Sequence, residues 1–284
     1  MSGTLSDYLF TPQPASEYIY KTPDFIKYHI GMLVVSFSIF CASASVIYFV
    51  IDRLIRPEFY VKKEKVEDRI QVATLLNCAI HHLSTCANGF YIIFYMNPSS
   101  TYMGVLFDPE PEYMEYVPLT SMMVVFTLSY FAYDYLVMKF IVKNSETDLG
   151  KQHKVHHIIC ILLAIFALGS GMMLPKLFCI AMMCESSMIF LNYRNMLGKN
   201  NWKGTLSMIN SVVFFLTYTV FRIVLFPILI YSHIKYRSIY DFYSMSFIYK
   251  AYWWFSVLLF TVIICLNIFW YKFIVKGIVA LFKK

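Results

Sequence analysis

TLSMINSVVFFLTYTVFRIVLFPILIYS, residues 205–232, holds a single charged side chain, Arg222. Wound as a helix at 1.5 Å per residue, this stretch would reach about 40 Å, more than the roughly 30 Å of a bilayer's hydrocarbon core. Comparable apolar runs occupy 30–51, 70–96, 117–142, 155–174, 176–197 and 247–276, so the pattern predicts about seven transmembrane helices. The composition of the 284-residue chain agrees: 59% hydrophobic, 19% aromatic, 14% charged, with a mean hydropathy of +0.59. So few charges exclude an aqueous globular enzyme, and so many apolar residues exclude a disordered chain. The sequence reads as an all-α, multi-pass membrane protein.

The net charge of +7 comes from Lys and Arg spread over short inter-helix segments, not gathered on one face, so no nucleic-acid partner is expected. Segments 52–69, 143–154, 194–204 and 271–284 hold sixteen basic residues, and the opposite side holds six. That bias predicts a lumenal or external N-terminus and a cytosolic C-terminus. The first 29 residues are polar, with Pro12, Pro14 and Pro23, and lack the pattern of a cleavable signal. They contain no Arg and carry Asp7, Glu17 and Asp24, which argues against an ordinary mitochondrial presequence. The segment 97–116 has no basic residue but four acids and is expected as an exposed lumenal loop; Leu174-Pro175-Lys176 is expected as a tight hairpin. All seven cysteines fall in apolar runs and read as small core residues. Met182 and Met183 read as packing residues, and Trp253–Trp254 as an interfacial belt.

An ionisable side chain near the bilayer centre costs roughly 2.5–3.5 kcal/mol on insertion scales, so each needs a reason to be there. The sequence offers His81, His82, Asp134, His156, His157, Glu185, Asn192, Arg222 and Asn267. Asp134 lies about 25 Å from the outer end of its span, near the inner interface where His156 and His157 open the next. Glu185 and the pair His81–His82 lie near mid-depth, and Arg222 sits in the outer half, one turn before Pro227. These groups are expected to line one cavity open to the inner side, closed from above by Arg222. Glu185 and Asn192, seven apart, share a helix face. His153 can share a face with His156 and His157 if its helix starts early, whereas His156 and His157 point about 100° apart. Three readings of His153-Lys154-Val155-His156-His157 with Asp134 stay open: acid/base work, in which a carboxylate orients an imidazole; metal ligation; and interfacial histidines touching headgroups. For Glu185 and Arg222 the plainer reading is an ion pair that holds helices together.

SYFAYDYLVM (129–138), KQHKVHHII (151–159) and CESSMIFLNYR (184–194), in that order, resemble the TLC-domain family. That group includes the ceramide synthases, the translocating-chain-associated membrane protein and a set of small TLC-domain proteins. FFLTYTVFRIVLFP (214–227) and LNIFWYKFI (266–274) are similar to the family's Arg- and Pro-bearing helix and its closing helix. The likeness covers roughly residues 65–280. It implies a polar segment 1–29, a first helix with a basic loop over 30–64, and a TLC-like transmembrane domain over 65–284. Within that domain the family likeness implies a bundle or barrel of helices around a cavity for lipid or acyl chains.

In ceramide synthases the paired histidines are thought to serve acyl transfer from acyl-CoA, beside a His-Asp-x-x-Asp signature. Here that stretch reads Cys184-Glu185-Ser186-Ser187-Met188, so both aspartates are missing. The resemblance is therefore nearer to the small TLC-domain proteins, which are linked to lipid composition, lipid sensing or transport escort. It implies a lipid-handling membrane protein, in one version an acyltransferase with acyl-CoA as co-substrate. A second reading is a non-catalytic lipid-binding scaffold or accessory subunit, docking partners through the N-terminus and the acidic loop. A third, from the Asp, Glu and His series itself, is an ion or proton carrier, disfavoured because the charged groups do not span both halves of the membrane continuously. In a catalytic version His156, His157, Asp134 and Glu185 would act, with His157 as base, while Arg222, Asn192, Arg194 and His82 would meet lipid or headgroup. No metal and no other cofactor is expected, and the expected partners are membrane lipids and, in the accessory-subunit reading, other proteins of a membrane assembly. The expected location is the endoplasmic reticulum or another organelle membrane, the mitochondrial inner membrane among them.

Overall fold

A computed structural model describes residues 23–54, 66–94, 118–141, 148–170, 174–201, 204–235 and 247–282. All of these are helical apart from a turn at Ile141. The segments are α1 (Pro23–Leu54), α2 (Val66–Phe94), α3 (Pro118–Phe140) and α4 (Asp148–Ser170). They continue with α5 (Leu174–Ala181), a 3₁₀ turn (Met182–Glu185) leading into α6 (Ser186–Asn201), and α7 (Gly204–Tyr218). A π turn (Thr219–Val224) joins α7 to α8 (Leu225–Lys235), and α9 (Phe247–Phe282) closes the chain. The acidic loop 97–116 and most of the N-terminal segment lie outside the described residues.

Among the described residues, six helical stretches are long and apolar enough to cross a membrane. The seventh expected span, α2, falls short of that measure because it is diluted by Asn77, His81, His82, Thr85 and Asn88, all of them buried. A span whose polar side faces other helices need not be apolar all round, and this one reverses the usual distribution. The same inversion runs through the fold. Ile30, Val34, Val46, Leu216, Val220 and Phe273 point outward, whereas Ser129, Ser187, Ser256 and Asn267 are fully enclosed.

Several boundaries differ from the sequence reading. Helix α1 begins at Pro23, so part of the polar leader continues the first helix; proline suits a first turn because its missing N–H is one of the unpaired donors there. Helix α4 begins at Asp148, seven residues ahead of the apolar run, which brings His153 onto a helix face. The expected hairpin at 174–176 is instead the first turn of α5, and its Lys176 is buried. Of the two tryptophans, Trp253 turns inward to stack on His233 at 5.1 Å, and only Trp254 faces outward.

Helix α1 docks on α2 and α3 through Phe40, whose ring meets Phe126 at 4.9 Å and Tyr130 at 5.6 Å. Polar bonds fix its depth. Asn77 Nδ2 donates to the Phe40 carbonyl (3.0 Å), Ser43 Oγ donates to Asn77 Oδ1 (2.8 Å), and Ser129 Oγ reaches the Leu33 carbonyl (3.3 Å). Helix α2 packs against the 3₁₀ turn at Gly89, where a Cβ would lie 2.7 Å from Met183 Sδ. Glycine is what permits that approach. Tyr218 OH donates to the Asn267 carbonyl (3.1 Å), tying α7 to α9.

Candidate functional site

The helices after α1 enclose a cavity of about 920 Å³. Its wall draws on the first half of α2, the end of α3, the start of α4, α6, α7 and the second half of α9, for example Thr74, Met138, Gln152, Arg194, Asn210 and Leu281. Among its described residues helix α1 supplies none of the wall. The wall is largely apolar and carries one buried cluster of charged and polar groups around Glu185 and Arg222.

Two departures from α geometry shape that cluster. Pro227 cannot donate a backbone N–H and its ring crowds the carbonyl four residues earlier, so the turn ahead of it, Thr219–Val224, widens to π geometry. Arg222 lies in that turn. Facing it, the 3₁₀ turn Met182–Glu185 tightens the junction of α5 and α6 and carries Glu185. Arg222 Nη2 donates to Glu185 Oε1 at 2.9 Å and Nη1 to Asn267 Oδ1 at 3.2 Å. Its Nε is shared between the Cys184 carbonyl (3.1 Å) and Ser187 Oγ (3.2 Å), and its guanidinium lies 5.3 Å from the centre of the Tyr218 ring. The ion pair is fully enclosed, with both side chains 5% exposed or less. Buried charges persist only when paired and hydrogen-bonded, and this arginine has its donors occupied on three helical segments.

Around Glu185 stand two histidines: His82 Nδ1 is 3.5 Å from Oε2, and His156 Nε2 is 3.9 Å from Oε1. Both rings line the cavity. His156 also lies against Cys160 Sγ (3.7 Å) and edge-on to Trp270 (5.7 Å), whose indole N–H donates to Gln152 Oε1 at 2.8 Å. A second group sits beside the first. His157 Nδ1 is 3.4 Å from Asp134 Oδ2, and the His153 ring is 4.5 Å from the His157 ring. Asp134, His153 and His157 can each offer one donor atom, all within 4.8 Å of one another, which makes them the group able to hold a metal ion among the described residues. Asp134 and His153 line the cavity; His157 does not.

The sequence-derived residues therefore separate. His82, Asp134, His156, Glu185, Asn192, Arg194 and Arg222 share the cavity wall. Asn192 is buried, whereas Arg194 is exposed at the inner end of α6. The roughly 100° between His156 and His157 sends each to a different carboxylate. His81 is fully enclosed, stacks on Tyr130 at 3.8 Å, and makes no hydrogen bond through either ring nitrogen, so it packs beside the site without entering it. Residues to which the sequence reading gave no role at the site are Tyr218, Ser187, Trp270 and Gln152. Tyr218 sits four before Arg222, a spacing that could have flagged it, but the other three depend on contacts between helices.

The pattern for the TLC domain matches residues 71–276, most of the chain and all of the cavity wall except Gly277, Ile278, Ala280 and Leu281 at its C-terminal edge. The chain belongs to the TLC-domain family. The match begins within α2, so the first helix lies outside it, as it lies outside the cavity wall. No curated protein and no solved structure matches the chain.

Proposed function

We propose that this TLC-domain protein binds a membrane lipid in its internal cavity, with the apolar chain toward the inner ends of the helices and the polar part at Glu185–Arg222. The observation that carries the reading is a largely apolar cavity with a buried ion pair in its wall. Its volume of about 920 Å³ falls in the range of built ligand sites. Leu75, Val137, Met188, Phe214, Phe269 and Ile274 form an oily wall, and His82, His156, Glu185 and Arg222 stand together in it. Water-soluble cargo would gain little from such walls, while an acyl chain buries its surface at about 25 cal/mol per Å². His82 and His156, which line the cavity beside the ion pair, give a headgroup ring nitrogens to bond at a fixed depth. Purification into nanodiscs followed by lipid extraction and mass spectrometry tests this. One lipid class should be enriched over the surrounding bilayer in about one copy per chain, and a bound fraction identical to the bulk lipid would reject the proposal.

A second reading, acyl transfer from acyl-CoA, is supported by one observation: His156 faces the cavity beside a carboxylate. That position makes His156, not His157, the better placed base. It would take the proton of an incoming hydroxyl or amine while the new bond forms at the thioester carbon, then return it to the departing CoA sulfur. Labelled acyl-CoA with purified protein should then give a labelled lipid that His156→Ala abolishes. Product formation retained in that variant would remove His156 from the reaction. Partner docking through the acidic loop 97–116 concerns residues outside those described.

A further inference from the structure

We propose that Asp134, His153 and His157 form a binding site for a divalent cation of the zinc class, with an open coordination position facing the cavity. This departs from the sequence expectation of no metal, and it stands independently of which lipid the cavity takes.

Three observations carry it. First, the donor set is two imidazoles and one carboxylate, the mixture that holds zinc where one position is left for water or substrate. His153 and His157 are four apart on one helix, so both rings leave the same face, and Asp134 meets them from α3. Second, the spacing fits. A tetrahedral ion with bonds of about 2.0–2.1 Å has ligand atoms about 3.3 Å apart. The His157–Asp134 edge is 3.4 Å, and all three atoms lie within 4.8 Å, so closing the site needs only a small movement of the third donor. His157 Nδ1 makes no hydrogen bond at that distance, which leaves its nitrogen available to an ion.

Third, the charges divide unequally. The site has two buried carboxylates. Arg222 is taken by Glu185, while among the described residues Asp134 meets no lysine or arginine; its other close neighbour is the Cys78 thiol, at 4.0 Å. A buried carboxylate without a cation is costly, and a divalent ion held by neutral imidazoles would supply the missing charge. Because Asp134 and His153 line the cavity and His157 stands behind them, the free coordination position points inward toward the space available to a ligand.

The test uses the full chain purified in detergent, stripped with a chelator and titrated with cobalt(II). The wild type should bind one cobalt per chain with the intense visible bands of a four-coordinate ion, and zinc should displace it. Asp134→Asn and His157→Gln should lose that stoichiometric binding while eluting as the wild type does on size exclusion. His153→Cys should keep one cobalt and add a sulfur-to-cobalt band in the near ultraviolet, a signature that a merely structural histidine would not produce. A folded wild type that shows no four-coordinate bands overturns the site. So do bands that survive Asp134→Asn and His157→Gln, and so does a sulfur band already present in the wild type, which would move the ion to cysteines. The lipid reading fails separately, by the absence of an enriched lipid in the extract.

Discussion

Arg222→Met removes four donated bonds at once: to Glu185 Oε1, Asn267 Oδ1, Ser187 Oγ and the Cys184 carbonyl. The volume is nearly kept, so the loss is chiefly electrostatic. Glu185 then stays enclosed at 4% exposure without its cation, with His82, His156 and the Cys184 thiol beside it. Breaking one side of a buried ion pair costs about 3–5 kcal/mol. For a chain of this length, at about 2–4 °C per kcal/mol, the melting temperature should fall by roughly 6–20 °C. Glu185→Gln should cost less, because the amide oxygen can still accept from Nη2. The double variant Arg222→Met/Glu185→Gln buries no charge at this point, so it should recover most of the loss. A coupling of about 2 kcal/mol or more between the two sites is expected. The assay is thermal unfolding in one detergent, followed by tryptophan emission across the four variants. If each single change costs under about 1 kcal/mol and the two simply add, the pair is hydrated and the enclosed cluster described above is wrong.

Gly89→Ala should destabilise by about 1–3 kcal/mol, since the added methyl falls on the Met183 side chain, and combining it with Met183→Ala should return part of that in the same melt. Pro227→Ala is a test of sign. Helix propensity alone favours alanine by about 3 kcal/mol, but relaxing the π turn rotates Arg222 off Glu185, so the melting temperature should not rise; a clear gain would show that the π turn does not set the pair. Gly277→Phe, at a cavity-wall position with open space around its Cα, should lower the amount of co-purified lipid while leaving the melt within a few degrees of wild type. Unchanged lipid in that variant would place the ligand elsewhere.

Much of the arrangement can be read along the chain. Runs of apolar residues with a bilayer's length leave helices as the way to satisfy the backbone, so the number and approximate limits of the spans follow from composition and period. The cost of burying Asp134, Glu185 and Arg222 in a bilayer is by itself enough to call for an interior meeting place. A heptad separation puts Glu185 and Asn192 on one face, and both do line the cavity. Polar α2 is a harder case, because local hydropathy counts Asn77, His81 and His82 against a span while their burial against other helices makes them its inner face.

Which partner each group meets belongs to packing. His156 and His157 are adjacent in the chain, and nothing local says that one reaches Glu185 and the other Asp134; the rotation of α4 about its axis does, and its neighbours set that rotation. The early start of α4 at Asp148 likewise turns His153 from a loop residue into a cavity residue. The π and 3₁₀ turns alter the register of Arg222 and Glu185 by a fraction of a turn, and over the length of a side chain such a shift separates an ion pair from two isolated charges. Chain order encodes spacing along one helix axis, whereas a site shared by several helices depends on their relative rotation and depth, which are set only when they pack.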